Sequence, residues 1–322
     1  MADEFDVIVA GGGIAGLTAG LGAARAGRST LVLGGNAPGG LLLSIEKIEG
    51  VPGFPEGVPG YELCPMLQEQ AEEAGAEVRM AELAALERAD DGWRVTSADD
   101  GDLDTRAVIF ATGARLKHLG VPGEERLQGR GVSHCASCDA PLLRDQTVGV
   151  VGGGDSALQE ALTLADAVGE VIVLHRGETL DAQATYRQRA LDHPKITVRY
   201  QTVVEEILGD EKVAGVRARD LTTDATENVE LGGVFVYVGL EPNTEPLQDR
   251  LELDADKRVA TDAAGRTELP GLLAAGYVRR GSLGQAAISA GDGANAAKAA
   301  DRYLQTGEWA NHALAATGGS HA

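Results

Sequence analysis

Cysteine is scarce in this chain, which has three cysteines among 322 residues: Cys64, Cys135 and Cys138. An odd and small number cannot form the multi-disulfide framework that holds small secreted domains together. Lysine is scarce too: the 28 basic residues include only six lysines, and 49 acidic residues bring the net charge to −21. A chain this acidic is repelled by nucleic acid and by anionic lipid, so neither is expected as a partner.

Long apolar runs are also absent. No stretch reaches the ~18 residues that a membrane helix needs, and the acidic start of the chain does not resemble a secretory signal peptide. We therefore predict a soluble, cytoplasmic protein. At about 150 residues per domain, the length favours two domains.

The motif Cys135-Ala-Ser-Cys138 is the strongest chemical signal in the sequence. Two cysteines in this spacing can close a small disulfide ring and exchange electrons in pairs. Zinc needs four ligands, and neither a second CxxC nor an HxxxH pair is present; His134 and Asp139 are too close in sequence to complete a tetrahedron. We predict a redox pair and no metal site. Cys64, in a helical pattern, is predicted to be a packed core thiol.

A glycine-rich fingerprint precedes this motif. Gly11-x-Gly13-x-x-Gly16 follows the apolar run 5–10 and opens a predicted helix, and a second strand is predicted at 30–33. In such a loop the first glycine allows a tight turn and the second lets the backbone approach a pyrophosphate. The third lets the helix pack on the strand. This pattern predicts a dinucleotide site.

A second fingerprint follows the motif. Gly152-x-Gly154-x-x-Ala157 lies between a predicted strand at 147–151 and a predicted helix at 156–167. We therefore predict an α/β fold of two Rossmann-like, three-layer ββα dinucleotide-binding domains, one inserted in the other.

The predicted outer domain is discontinuous and consists of residues 1–116 and 247–322. The inserted domain, residues 117–246, contains the CxxC motif. Both crossings have proline or glycine nearby, which is typical of a hinge.

Taken together, these motifs resemble those of the low-molecular-weight thioredoxin reductases over about residues 5–305. The stretches that match the family are Gly11–Leu17, Pro38–Gly40, Pro52–Pro55, Ala111–Gly113, Cys135–Asp139, Gly152–Ala157, His175–Arg176, Gly239–Asn243 and Ala290–Gly293.

The resemblance implies that the outer domain binds FAD and the inserted domain a nicotinamide nucleotide. It assigns FAD contacts to Gly11, Gly13, Gly16, Gly39, Gly40, Ala111, Thr112, Gly113, Gly276, Tyr277, Gln285 and Ala286. It assigns NADP contacts to Gly152, Gly154, Ala157, His175 and Arg176.

The resemblance also implies the catalytic roles. Cys138 would receive electrons from the flavin, Cys135 would attack the substrate disulfide, and Asp139 would protonate the leaving thiolate. A thioredoxin-like protein or a small disulfide or dithiol is the implied substrate, and a homodimer is the implied assembly.

Two departures from the family pattern concern FAD. Gly34 occupies the position at the end of the second strand where an acid usually contacts the adenosine ribose, and Tyr277 replaces an aspartate that contacts the ribityl chain. A lost hydrogen bond to a charged group costs roughly 1.5–3 kcal/mol. We predict that FAD still binds through backbone contacts, in an altered geometry.

A third departure concerns NADPH. In the family, further arginines normally follow the His-Arg pair. Here His175-Arg176 is followed by Gly177, and Asp181 occupies the family's later basic position. Arginine suits a 2′-phosphate because it presents a planar fork of donors. Each lost contact weakens binding about 10- to 100-fold. NADPH binding is therefore predicted to be weakened, and reduced ferredoxin is the alternative donor.

Two other functions fit the same motifs. A dithiol oxidase would run the chemistry in reverse and reoxidise FAD with oxygen. A non-catalytic flavin-binding or redox-sensing protein would not need the intact CxxC-Asp motif. A further hypothesis is that Trp309 and His312 fold over the flavin in place of the nicotinamide.

Overall fold

The structure, a computed structural model, describes residues 4–309. The chain divides into two compact units. The outer unit comprises residues up to 115 and from 241 onward, and the inserted unit comprises residues 116–240.

The first part of the outer unit alternates strands with helices and then forms an antiparallel meander. Its elements are β1 (Glu4–Ala10), α1 (Ile14–Arg25), β2 (Thr30–Leu33), α2 (Gly60–Glu73), β3 (Glu77–Arg79), β4 (Leu83–Ala89), β5 (Gly92–Ser97), β6 (Gly101–Phe110) and β7 (Ala114–Leu116). The segment between β2 and α2 contains one short 3₁₀ turn, Gly40–Ser44.

The inserted unit has a parallel βαβ core with an antiparallel side sheet. Its elements are β8 (Val132–Ser133), α3 (Ala136–Asp139), β9 (Thr147–Val151), α4 (Asp155–Ala165), β10 (Glu170–Leu174), α5 (Ala184–Leu191), β11 (Ile196–Arg199), β12 (Thr202–Leu208), β13 (Gly215–Asp220), β14 (Thr226–Glu230) and β15 (Gly233–Val236). The chain then forms β16 (Leu240–Pro242), β17 (Leu272–Ala274) and α6 (Ala286–Thr306).

The central sheet of the outer unit has the order β3-β2-β1-β6 with β17 beside β6, and all of these strands are parallel. The β4–β5 hairpin continues the sheet antiparallel from the first half of β6. Residues 7–10 of β1, 30–33 of β2 and 107–110 of β6 are buried on both faces, as expected for a parallel sheet covered on both sides.

Helices α1 and α6 pack closely because small residues face each other. An added Cβ at Gly293 would lie 2.1 Å from the carbonyl oxygen of Ala15, and one at Gly22 would lie 2.8 Å from the Ala297 Cβ. The alanine- and glycine-rich composition of both helices therefore permits their close approach. This packing holds the start of α1 in place under the first glycine fingerprint.

The main sheet of the inserted unit is parallel, with the order β11-β10-β9-β15-β8. Strands β12, β13 and β14 form a separate antiparallel sheet. The predicted class, two Rossmann-like α/β domains with one inserted in the other, is confirmed.

The second domain boundary lies earlier than the predicted one, after residue 240 rather than 246. The residues after β16 bond back into the outer unit: the Asn243 N–H donates to Gly113 O over 3.0 Å, and Thr112 Oγ1 donates to Asn243 O over 2.6 Å. These bonds place the Pro242-Asn243 segment in the outer unit. Within residues 4–309, no helix has both the length and the apolar character required to span a membrane.

Candidate active site

Cys135 and Cys138 are joined in a disulfide, with their Cα atoms 5.3 Å apart. Strand β8, at the edge of the inserted unit's parallel sheet, leads into this ring. Cys135 is the N-cap of the single turn α3. Cys138 is exposed and Cys135 is half-buried, so the disulfide is accessible from solvent.

Buried polar contacts fix the backbone of this ring. Ser133 Oγ accepts the Cys135 N–H over 3.1 Å, and Glu160 Oε2 accepts the Ala136 N–H over 3.1 Å. The Tyr237 hydroxyl donates to the same carboxylate oxygen over 3.3 Å. Burial first, and then the neighbouring Glu160 carboxylate, raises the pKa of Tyr237 far above its usual value, so the phenol stays protonated.

Sequence reasoning missed Glu160 and Tyr237. A signal for Glu160 was available, because it is a charged residue on the apolar face of α4, between the buried Leu158 and Ala161. A charge at such a position needs a hydrogen-bonding partner in the interior. Nothing in the sequence pointed to Ala136 as that partner.

Asp139, the predicted acid, immediately follows Cys138 and is half-buried. Its N–H donates to Cys135 O over 3.3 Å, which closes the turn. Its carboxylate makes no hydrogen bond or ion pair with another residue in the described part of the chain.

The glycines of the first fingerprint are of two kinds, those closely packed by the protein itself and one that faces open space. Gly11 has φ +116°, and an added Cβ there would lie 2.2 Å from Ala111 O; at Gly16 it would lie 1.7 Å from Gly11 O. At Gly13, the N-cap of α1, an added Cβ would meet nothing within 4 Å. The protein's own packing thus requires Gly11 and Gly16, whereas at Gly13 it leaves open space. That space at a helix N-terminus fits the pyrophosphate of a dinucleotide.

Other residues assigned to FAD surround this space. The Gly39 N–H donates to Gly12 O over 2.7 Å, and an added Cβ at Gly40 would lie 3.6 Å from Gly13 Cα. Gly276, with φ +77°, packs against the Ala15 side chain. The fold therefore brings Gly39, Gly40, Ala111 and Gly276 to the fingerprint, while Thr112 Oγ1 is engaged with the Asn243 carbonyl.

Tyr277 has an arginine stacked on its ring. The Arg258 guanidinium lies 4.4 Å from the ring centroid, and Arg258 Nε is a buried donor without a hydrogen-bond partner. An added Cβ at Gly284 would be 3.2 Å from Tyr277 Cε2. Gln285 caps α6, and Ala286 begins it. Sequence reasoning did not identify Arg258.

A carboxylate lies near Gly34, which follows β2 at the position where an acid was expected. Gly34 and Gly35 donate to the carbonyl oxygens of Arg79 and Ala81 over 2.8 and 3.0 Å. An added Cβ at Gly35 would lie 3.9 Å from Glu82 Oε1. The segment after β3 therefore supplies a carboxylate beside the end of β2, which the sequence alone did not show.

The second fingerprint has the same division of glycines. Gly152 has φ +142°, and an added Cβ there would lie 2.3 Å from Tyr237 O. Gly154 is the N-cap of α4, with open space around an added Cβ. Ala157 is buried and packs on Gly152. A dinucleotide pyrophosphate again fits above the second glycine.

His175 and Arg176, predicted as a pair of NADP ligands, have different environments. The His175 ring is buried against Gly153, and its Nε2 lies 2.8 Å from Thr179 O. His175 therefore packs against the glycine loop of the second fingerprint. Arg176 and Asp181 are exposed. At Gly177 an added Cβ would lie 2.6 Å from His175 Nε2. The buried histidine therefore restricts a larger side chain at 177.

Two remaining predictions concern Cys64 and the end of the chain. Cys64 is buried under Gly39, as predicted, and burial raises the pKa of its thiol to about 11.

The placement of Trp309 contradicts a role over the flavin. Its indole donates to Thr267 O over 3.1 Å and packs on Tyr303, near the start of β17 and the end of α6. Gly13 lies at the opposite, carboxyl edge of the sheet. His312 lies outside the described residues.

Comparison with known proteins agrees with this geometry. The family model described as pyridine nucleotide-disulphide oxidoreductase matches residues 5–293. A redox disulfide and two dinucleotide folds define a flavin-dependent disulfide oxidoreductase, and the chain belongs to this family. Within it, the chain is a thioredoxin reductase-like enzyme.

Relatives and solved structures support that placement over almost the whole chain. Thioredoxin reductase from Treponema pallidum is 38% identical over 306 residues, 95% of this chain and 99% of the relative. The enzyme from Mycolicibacterium smegmatis is 41% identical over 302 residues, 93% and 96% of the two chains. The structure of Lactococcus lactis thioredoxin reductase matches with a TM-score of 0.91 at 37% identity, covering 94% of this chain and 99% of that one.

Proposed function

We propose that this protein reduces the disulfide of a thioredoxin-like protein through the Cys135–Cys138 pair. The observation that supports this most directly is the accessible disulfide ring in a unit that also has a dinucleotide fold. FAD, when bound, accepts two electrons from a donor and delivers them to the disulfide. Gly13, Gly39 and Gly40 would hold its pyrophosphate.

The exchange itself uses only thiol chemistry. Two electrons open the Cys135–Cys138 bond and give two thiolates. The Cys135 thiolate then attacks the partner's disulfide, forms a mixed disulfide and releases one partner sulfur as a thiolate. The Cys138 thiolate attacks Cys135 Sγ in turn, which restores the ring and releases the second partner thiolate.

Asp139 supplies protons for this sequence. Thiolates leave more readily when a nearby acid protonates them. The Asp139 carboxylate directly follows Cys138 and has no hydrogen bond or ion pair to compete with this role among residues 4–309. Replacing it with asparagine should slow exchange without altering the anchoring of the ring by Glu160.

For the electron donor, we propose a nicotinamide dinucleotide bound at Gly152–Gly154 with weakened discrimination for the 2′-phosphate. The open space at Gly154 supports dinucleotide binding. Arg176 remains as a donor for the phosphate, whereas Asp181 adds repulsion. We therefore expect this protein to bind NADPH only slightly more tightly than NADH. A site with two or three arginines on the 2′-phosphate would show a much larger preference.

The decisive experiment is an anaerobic titration of the flavoprotein with NADPH and, separately, NADH, following flavin absorbance at about 450 nm. Bleaching by both nucleotides, with a small preference for NADPH, is expected. Bleaching by dithionite but by neither nucleotide would contradict the donor proposal, and reduced ferredoxin would then be tested. Disulfide exchange is tested separately: Cys135→Ser should abolish reduction of a thioredoxin by the dithionite-reduced enzyme.

A further inference from the structure

Two histidines and a buried carboxylate converge in the inserted unit, on the segment that leads to the redox cysteines. One ligand atom from each of His118, Glu124 and His134 lies within 4.8 Å of the other two. We propose that these three residues bind a divalent transition-metal ion. Zn²⁺ is the ion used below for the ligand spacing and for the binding experiments. This inference does not depend on the proposed electron donor or substrate.

Glu124 is the rigid part of this cluster. Its side chain is only 4% exposed, and it makes no ion pair with a lysine or arginine in the described part of the chain. Its two carboxylate oxygens accept the N–H groups of Leu119 and Gly120 over 2.8 and 2.7 Å. A carboxylate has about four lone-pair sites, so both oxygens retain capacity for a metal. A buried anion of this kind favours a cation beside it.

The turn that places Glu124 is fixed by the backbone. Gly120 and Gly123 have φ +77° and +90°, and an added Cβ at Gly123 would lie 2.0 Å from Ile207 O. The turn is therefore held against β12. It presents His118 and Glu124 on the same side, with His118 Nδ1 3.6 Å from Glu124 Oε1.

The orientation of His134 matches that of a metal ligand. Its Nδ1 lies 2.9 Å from Val236 O, a bond that follows from the β8–β15 register. A proton on Nδ1 donated to that carbonyl leaves the lone pair on Nε2, and metal-binding histidines commonly have this arrangement. The His134 and His118 rings meet edge-on, with their centroids 6.1 Å apart.

The spacing needs only a small adjustment. Ligand atoms on a tetrahedral zinc ion are about 3.4 Å apart when the bonds are about 2.1 Å long. His118 can supply this adjustment because its side chain is 67% exposed. Two histidines and one glutamate leave a fourth position open, as in catalytic zinc sites. The sequence prediction of no metal site rested on the lack of a second CxxC or HxxxH pair and on ligands next to the CxxC, so it did not evaluate His118 and Glu124.

Equilibrium dialysis of the oxidised holoprotein against Zn²⁺, without reductant, tests the proposal, because the disulfide removes Cys135 and Cys138 as competing ligands. One bound zinc per chain is expected. His118→Gln and His134→Asn should each raise the dissociation constant at least about tenfold. His134→Asn retains a donor for Val236 O, and His193→Gln, elsewhere in the inserted unit, is the matched control and should bind like the wild type.

Thermal unfolding gives a second measurement. Zn²⁺ should raise the midpoint of the wild type and of His193→Gln, and it should not raise that of His118→Gln. Because His118 is exposed, its substitution does not disturb the fold. If no zinc binds, or if His118→Gln and His134→Asn bind it as the wild type does, the proposal is wrong. The latter result would assign the ion to ligands elsewhere in the chain.

Discussion

The Tyr237 hydroxyl donates a hydrogen bond to Glu160 Oε2, the oxygen that also accepts the Ala136 N–H within the redox ring. One buried carboxylate thus connects the end of β15 to the backbone between Cys135 and Cys138. Because two donors, the Tyr237 hydroxyl and the Ala136 N–H, depend on Glu160, we expect loss of Glu160 to destabilise the fold more than loss of the Tyr237 hydroxyl.

Tyr237→Phe removes one donor and leaves Glu160 bonded to Ala136. We expect the free energy of unfolding to fall by about 0.5–1.5 kcal/mol. Glu160→Ala leaves two buried donors without an acceptor and should lower it by about 2–4 kcal/mol. Urea unfolding monitored by circular dichroism measures both, and equal losses would show that Ala136 does not depend on this carboxylate.

Gly13→Ala should separate cofactor binding from folding. The backbone at Gly13 has φ −72°, and an added Cβ meets no protein atom within 4 Å. Apoprotein stability should therefore change by less than about 0.5 kcal/mol. FAD affinity should fall at least about tenfold, because the methyl group enters the space assigned to the pyrophosphate.

Gly16→Ala is the matched control for that variant. Its Cβ would lie 1.7 Å from Gly11 O, so it should destabilise the apoprotein as well as weaken FAD binding. Unfolding of the apoprotein and a flavin fluorescence titration give the two readouts. If Gly13→Ala binds FAD normally, the open space at Gly13 is not the pyrophosphate site.

Asp181→Arg should strengthen NADPH binding. The exchange removes an exposed acid and adds a planar donor, which should lower the NADPH dissociation constant about tenfold or more while leaving that of NADH unchanged. Gly177→Arg should give little or no gain, because its Cβ would press on the buried His175 ring. Stopped-flow titration under anaerobic conditions measures both, and an equal gain for NADH would contradict a 2′-phosphate contact.

Cys64 should make stability depend on pH in the alkaline range. Burial raises the pKa of its thiol from 9.0 to about 11 in the folded chain. The unfolded chain therefore loses this proton first, and the stabilisation present below pH 9.0 is lost as the pH rises towards 11. The free energy of unfolding of the wild type, minus that of Cys64→Ala, should fall by about 2–3 kcal/mol over this interval. A constant difference would show that the thiol is not shielded.

Strands β1, β2 and β9 were predictable because each is a short, largely apolar run that contains β-branched residues and is followed directly by a glycine. Thr30–Leu33 and Thr147–Val151 match their predicted bounds, and the helix after the second fingerprint begins one residue before its predicted start. In these segments, local pattern and tertiary environment favour the same structure. The antiparallel side sheet was not predicted. Strand β14 has little apolar alternation, because four of its five residues are exposed.

Within the site, sequence reasoning identified residues whose chemistry is evident from local motifs and missed those whose role depends on distant contacts. The CxxC and both glycine fingerprints are local. Glu82 and Arg258 are brought to their positions by other segments, and no spacing rule indicates them. Glu160 is indicated only as a charge on the apolar face of α4, and its partner Ala136 is not indicated. His175 is a further case of a distant contact: its ring is buried and its Nε2 lies 2.8 Å from Thr179 O, which the neighbouring Arg176 does not indicate.

The position of β17 has a consequence for how the protein is made. This strand pairs with β6 along residues 108–110, yet the whole inserted unit lies between the two in the sequence. On the ribosome, the inserted unit is complete before β17 has been synthesised, whereas the outer sheet still lacks a strand beside the end of β6. We therefore expect the second unit in the sequence to finish folding first. An interrupted chain would leave an apolar strand edge open to other chains.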